Sequence, residues 1–298
     1  MANFIFKKEQ VQVYVVYNSL KYRIDVSEIE FSQTFKENSY DVKTLHSQNY
    51  FEGSVINTAN PANFSLSTPI LQEATNKIIF DRLLDVAIFD LYISTKYDDF
   101  KLENCAILSG TFEIEGSRPL RLAIEGEASK LSRHTGSIPG TLQNTGITTS
   151  TYMLSKFATL TIGTTNVSPL SLSIELQNEF EWNKYVTVNG AVDATSAANS
   201  MYPSSFVIGK KILGGSIELL LEENSSSMLT WNTDTSIRIK VGTTTGTFYG
   251  IDFNLANCSF TNRMKTGDIF TEEYDWRMIQ NPTALSDVVT YSAISVAP

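Results

Sequence analysis

Apolar and polar residues alternate from the start of the chain. Val11, Val13 and Val15 alternate with Gln10, Gln12 and Tyr14. Beyond Asn18-Ser19, Tyr22, Ile24 and Val26 alternate with Lys21, Arg23 and Asp25, so a β-hairpin is predicted. Ile29, Phe31 and Phe35 continue as a strand with Glu28, Glu30 and Ser32 outward. From residue 36 to 62 the pattern dissolves into polar and aromatic residues, which predicts either a surface hairpin or an arm that packs on a neighbour. A strand over 64–67 comes next. A helix is predicted over 70–84, with Leu71, Ile78, Ile79, Leu83 and Leu84 near one face. Strand character returns over 86–95.

The stretch from Leu102 to Glu127 is the reference for the rest. It opens Leu102-Glu103-Asn104-Cys105-Ala106-Ile107 and continues as two alternating runs around Gly116-Ser117-Arg118-Pro119. Phe112, Ile114, Leu120, Leu122 and Ile124 take the apolar side. Glu113, Glu115, Arg121, Glu125 and Glu127 take the polar side, because period two fixes the face of each residue.

That stretch has an echo about half the chain later. Leu255-Ala256-Asn257-Cys258-Ser259-Phe260 repeats the Leu-x-Asn-Cys setting, and the run 270–278 follows it. There Tyr274, Trp276 and Met278 oppose Glu273, Asp275 and Arg277. Upstream, residues 172–186 retrace 29–42 in the same order: Glu175-Leu176-Gln177-Asn178 stands where Glu30-Phe31-Ser32-Gln33 stood. A polar arm over 189–203 replaces the first long loop, and a shorter helix is predicted over 222–231. Self-similarity in this order points to a duplicated β domain. The Ser, Thr, Gly and Asn of 129–151 read as the connection. The expected organisation is therefore a first β domain over 1–128, a linker over 129–151 and a second β domain over 152–298.

Composition narrows the chemistry. The net charge is −9 and the pI about 4.9, with only isolated basic pairs such as Lys7-Lys8 and Lys210-Lys211. Gripping nucleic acid through phosphates needs basic clusters, so such a chain repels DNA. No apolar run is long enough for a membrane span, and the first residues lack a signal peptide's apolar core. One cysteine per repeat reads as a buried reduced thiol. Two histidines, His46 and His134, cannot build a His-rich metal centre, and no zinc Cys pair, nucleophile elbow or dinucleotide fingerprint occurs. The Glu113, Glu115, Glu125 and Glu127 row offers carboxylates for acid/base or metal chemistry. With no histidine near it in sequence, the row reads instead as a solvated sheet face. Neither an enzymatic activity nor a cofactor is expected.

The order of these features resembles bacteriophage tail tube proteins of the duplicated-domain type. The opening hairpin, the strand at Glu28-Ile29-Glu30-Phe31, the long arm, the strand 64–71, the helix and the Cys105 hairpin carry the likeness, and a second copy closes at Glu272-Glu273-Tyr274-Asp275-Trp276. The resemblance implies a mainly β fold with minor α: two tandem tube-like sandwich or half-barrel domains, each with one flanking helix. It further implies three chains in a pseudo-sixfold ring, rings stacked into a tube, and double-stranded DNA passing without specific binding. Glu113, Glu115, Glu125, Glu127, Glu273 and Asp275 become candidates for an acidic bore, although whether the first four line it or face outward stays open. The arms, with His46, Gln48, Tyr50, Phe51, Trp182, Tyr185 and Tyr202, become candidates for contacts between subunits and rings. Implied partners are further copies of the chain, a tape measure, a tail tip or baseplate and a terminator, in a virion tail made in a bacterial cytoplasm, with no membrane. Two alternatives remain: a baseplate or tail-tip ring of the same fold, and a carbohydrate-binding sandwich with Tyr50, Phe51 and Trp182 as its platform.

Overall fold

The computed structural model describes residues 11–42, 51–114, 118–144, 151–183, 201–220, 233–266, 270–279, 282 and 284–295. It is mainly β, with one short helix among these residues. Strands β1 (Gln12–Tyr17) and β2 (Leu20–Ile24) form the predicted hairpin. Asn18 and Ser19 at its tip have φ of 49° and 63°. Positive φ at both central residues lets a two-residue turn match the twist of the strands. Strand β3 (Glu28–Ser32) ends before β4 (Phe35–Val42), so the single strand expected through Phe35 is two. The long loop is itself a hairpin: β4 pairs with β5 (Phe51–Ala59) from Phe35↔Ala59 to Val42↔Phe51.

After β6 (Ala62–Pro69) the helix begins later than predicted. Residues 70–73 stay outside the helix, because the sheet claims their backbone: Ile70 N–H donates to Leu120 O (2.8 Å) and Ile70 O accepts from Met153 N–H (3.1 Å). A 3₁₀ turn (Ala74–Asn76) leads into helix α1 (Lys77–Asp85). Ile79, Phe80 and Leu83 are fully buried on its inner face. It stops at Val86, which sits in the left-handed region (φ 55°) and donates its N–H to Arg82 O.

Next come β7 (Phe89–Ser94), the long β8 (Asp99–Ile114), β9 (Arg121–Ala128) and β10 (Lys130–His134), with the short β11 (Thr141–Leu142) beyond. The 129–151 stretch, read as a connection, thus carries two strands: β10 pairs with β8 and β11 runs parallel to β2. Only Leu131 and Leu142 are apolar in these strands, among Lys130, Ser132, Arg133, His134 and Thr141, so no alternation marks them.

The later half holds β12 (Phe157–Ile162), β13 (Thr165–Asn166), β14 (Ser171–Asn183), β15 (Ser205–Leu220), β16 (Thr233–Gly242), β17 (Gly250–Thr266), β18 (Phe270–Met278) and β19 (Val289–Ser292). The first strand of this half starts at Phe157, and before it Tyr152 and Leu154 make only isolated bridges. The helix predicted over 222–231 lies outside the described residues.

Pairing follows the same order twice. In the first half β3–β6–β9–β8 form one antiparallel sheet, and in the second β14–β15–β18–β17 form another. Strands β8 and β17 are long enough to belong to two layers. The early part of β8 pairs with β7 and β10 and its later part with β9; the early part of β17 pairs with β16 and β19 and its later part with β18. At the bend of β8, Asn104 adopts φ 54° and donates its N–H to Asp90 Oδ1 (2.9 Å). Asparagine tolerates that region better than most residues.

The two halves meet at a seam. Strand β14 pairs antiparallel with the end of β8, from Leu172↔Ile114 to Gln177↔Ser109, making one eight-stranded run β3–β6–β9–β8–β14–β15–β18–β17. One core continues beneath it, with Phe112 edge-on to Phe80 (6.2 Å) and to Phe253 (5.2 Å). Cys105 and Cys258 lie buried in that core.

Candidate functional site: an acidic sheet face with two open edges

Period-two side-chain alternation makes the eight-stranded run two-faced. Leu66, Leu122, Ile124, Phe112, Ile174, Leu176, Ile217, Tyr274 and Trp276 point into the core. The other face collects carboxylates in cross-strand rows. One row runs Glu30, Ser65, Glu125, Ser109 and Gln177; another runs Glu113, Ser173, Ser216, Asp275 and Thr261.

Of the predicted carboxylates, Glu113 and Glu125 are exposed, while Glu127, Glu273 and Asp275 are half-buried on this same face. Glu115 lies outside the described residues. Sequence reasoning missed Glu28, Glu30, Glu175 and Glu218 as members of the face. Their alternation was visible, but only the strand order brings them beside the others. An open groove lined by Glu28, Glu30, Glu113, Arg121, Glu125 and Glu175 crosses the strands. Glu218 accepts hydrogen bonds from the Thr271 hydroxyl (2.9 Å) and the Ser171 hydroxyl (3.1 Å). Those hydroxyls hold its carboxyl below the usual range.

Cations are confined to fewer places. Arg121 stands across from Glu113 on β9. At the far edge, Arg263 pairs with Asp275 and Lys265 with Glu273 (3.0 Å). Arg277, on β18, is opposite Ser259.

The two ends of the run carry unpaired strand edges among the described residues. Strand β3 pairs only with β6, and β17 beyond Phe260 pairs only with β18. These edges correspond to the two strands that meet at the internal seam: β3 occupies the position of β14, and the end of β17 that of the end of β8.

The arm candidates divide. His46, Gln48, Tyr50 and Tyr185 lie outside the described residues, and Phe51 is placed as the β5 residue opposite Val42. Trp182 is buried against Phe180 (5.2 Å) and Phe206 (5.8 Å). A platform that uses both faces of that ring is therefore closed within the chain. Tyr202 is half-buried, edge-on to Phe35 (6.4 Å) with Lys130 Nζ 4.9 Å from its ring centre. Ala59 N–H donates to Met201 O (2.9 Å), so the base of the second arm lies against that of the first. Nearby on β15, Phe206, Val207 and Ile208 form an exposed apolar strip.

The thiols are not nucleophiles. Burial pushes Cys258 up to about 12 and Cys105 well above its ordinary value, so both stay protonated near neutrality. Among the described residues no group of three or more His, Cys, Asp or Glu is arranged to hold a metal ion. None of their helices is long and apolar enough to cross a membrane.

Comparison with known proteins adds an independent line. The profile of the Bacteriophage Baseplate Tube Protein Family matches residues 4–85, a segment that ends with the last residue of α1. No curated protein matches the chain. Among solved structures, the chain is similar to one in the "Cryo-EM structure of the anti-feeding prophage (AFP) baseplate, 6-fold symmetrised", at 10% identity and a TM-score of 0.37, covering 46% of this chain and 100% of that one.

Proposed function

We propose that this chain is a structural virion protein, a tail tube subunit that forms trimeric, pseudo-hexameric rings stacked around an acidic bore for the phage genome. The observation that carries the reading is the internal seam. Two four-stranded sheets join edge to edge within one chain, and the outer edges left over correspond to the pair already joined. An edge that finds its complement on the next copy propagates head to tail, and it closes into a ring when the rotation allows. Closure also removes exposed strand edges, which otherwise invite aggregation.

The carboxylate face suits a conduit. Duplex DNA carries one charge per about 1.7 Å of its axis, and a lining of Glu113, Glu125, Glu175, Glu218, Glu273 and Asp275 repels rather than holds it. Each of the two sheets would be one tube-like domain, and the arms would reach between stacked rings. The role in this reading is structural rather than enzymatic.

A second reading keeps the fold and the ring but stops at one ring, as a baseplate component. The match of residues 4–85 to a baseplate tube family favours it. Negative-stain electron microscopy of the purified chain separates the two. Stacked rings or tubes with a central bore support the tube subunit, and single rings that never stack support the baseplate component. Globular monomers that bind glycan would replace both with the carbohydrate-binding alternative.

A further inference from the structure

The two open edges differ in charge. On β3 the acidic face presents Glu28 and Glu30, both exposed, and the core side presents Ile29 and Phe31, both half-buried. On the end of β17 the same face presents Arg263 and Lys265, both exposed, and the core side presents Met264, which is 55% exposed. Phe112, on the core side of β8 at the seam, is 2% exposed beneath its partner strand. An apolar side chain left open on the edge of an otherwise buried face is what a missing neighbouring strand produces.

At the internal seam no opposite charges meet. Glu113 is across from Ser173, Thr111 from Glu175 and Ser109 from Gln177. Pairing the end of β17 with β3 of a second copy, with the pleats in phase, brings Arg263 and Lys265 beside Glu28 and Glu30, and Met264 beside Ile29 and Phe31. We infer that the seam between copies is a charge latch, with Arg263 and Lys265 of one copy held by Glu28 and Glu30 of the next, whereas the seam within a copy pairs no opposite charges. This rests on the ring reading above.

Every charged group at the edge is compatible with it. Asp275 and Glu273 engage the two cations from the β18 side. A guanidinium has five N–H donors and an ammonium three, so each cation retains donors for a carboxylate on its open side. Glu28 and Glu30 form no ion pair among the described residues. The latch also selects direction. Two β3 edges would set carboxylates against carboxylates, and two β17 ends cations against cations, each unfavourable at cross-strand distance. Only head-to-tail pairing is left, and head-to-tail pairing is what a ring requires.

Charge reversal tests this on the full chain, with ring formation read by light scattering and electron microscopy and folding by circular dichroism and thermal midpoint. Arg263→Glu with Lys265→Glu, and separately Glu28→Lys with Glu30→Lys, should leave the fold intact. Each should raise the concentration needed for rings by about tenfold or more. The four substitutions combined should restore rings near the wild-type concentration, because every pair across the seam between copies is again opposite in sign. Folded double variants that assemble like the wild type overturn the latch and leave the ring reading standing. A folded fourfold variant that stays apart also overturns the latch. A wild type that forms no ring, even when offered preformed tail tips, overturns both.

Discussion

Asn178 carries more than its size suggests. It is buried on β14, where its side-chain amide donates to Leu83 O (3.0 Å) at the end of α1 and to Ile107 O (3.1 Å) on β8. Lys211, opposite it on β15, donates from Nζ to Leu84 O (2.7 Å). The second half of the chain thus satisfies carbonyls at the helix C-terminus that no intrahelical donor reaches, and a cation there also suits the helix dipole. Asn178→Ala leaves two buried acceptors unmet and should cost about 1–3 kcal/mol in urea unfolding. Lys211→Met keeps the stem but loses the donor, and should cost about 1 kcal/mol. Solvent-facing Gln177→Ala serves as the control and should change stability by less than about 0.5 kcal/mol.

The thiols give a second residue-scale test. A raised folded-state value means the folded protein keeps a proton that the unfolded chain releases. The stability from protonated Cys258 is therefore complete below pH 9.0 and lost as pH rises towards about 12. Urea midpoints should fall across that window, and less steeply in Cys258→Ala when each is compared with its own value at neutral pH. In the native protein both thiols should be silent to a thiol reagent, reacting only at the rate of unfolding.

Among the elements, β15 depends on what its glycines exclude. A Cβ on Gly215 would collide with the backbone oxygen of Ser173 across the β14–β15 ladder. Backbone cannot move aside as a side-chain tip can, so Gly215→Ala should cost about 3 kcal/mol or abolish soluble expression. Val86 poses the opposite question at the end of α1. Its left-handed backbone is strained by about 1–2 kcal/mol, which Val86→Gly would relieve. Its side chain is 2% exposed, and losing that burial costs about 1.5–3 kcal/mol. Burial outweighs strain, so the glycine variant should be destabilised, by about 1 kcal/mol, in thermal or urea melts.

The same elements mark what could be read from residues alone. Alternation located β1, β2, β8, β9 and β18 and the faces of their side chains, because period two is local information. It overran the start of α1, since Ile70 is held in the sheet by Leu120 and Met153, which are distant in sequence. It missed β10 and β11, which hold one leucine each among polar and charged residues, and could not show that β4 and β5 make the arm a hairpin. The carboxylates of the hairpin were legible, but the face they share with Glu28, Glu30, Glu175 and Glu218 was not. Glu28 and Glu30 join it because β6 lies between β3 and β9, and Glu175 and Glu218 because β14 pairs with β8 and β15, contacts no local pattern encodes. Trp182 was legible as an aromatic near an arm, and its burial under Phe180 and Phe206 was not.

For the whole molecule, the distribution of charge matters more than its total of −9. Carboxylates occupy the middle of the polar sheet face, and the cations at its end stand where a neighbouring copy would supply glutamates. In the proposed ring the middle of that face meets DNA and the ends meet each other. Assembled wild-type protein should therefore retain no duplex DNA in a low-salt mobility-shift assay. Glu113→Lys, Glu125→Lys and Glu175→Lys together should produce retention that disappears as salt rises. Retention unchanged by those substitutions would place the face away from the bore.

The central claim is that the open edges of β3 and β17 complete one another between copies. Light-scattering mass of the purified full chain across a wide concentration range, with and without preformed tail tips, tests it most directly. The ring requires a closed species of three times the 33.2 kDa chain mass, or stacks of that unit. A constant mass of one chain under every condition would contradict it.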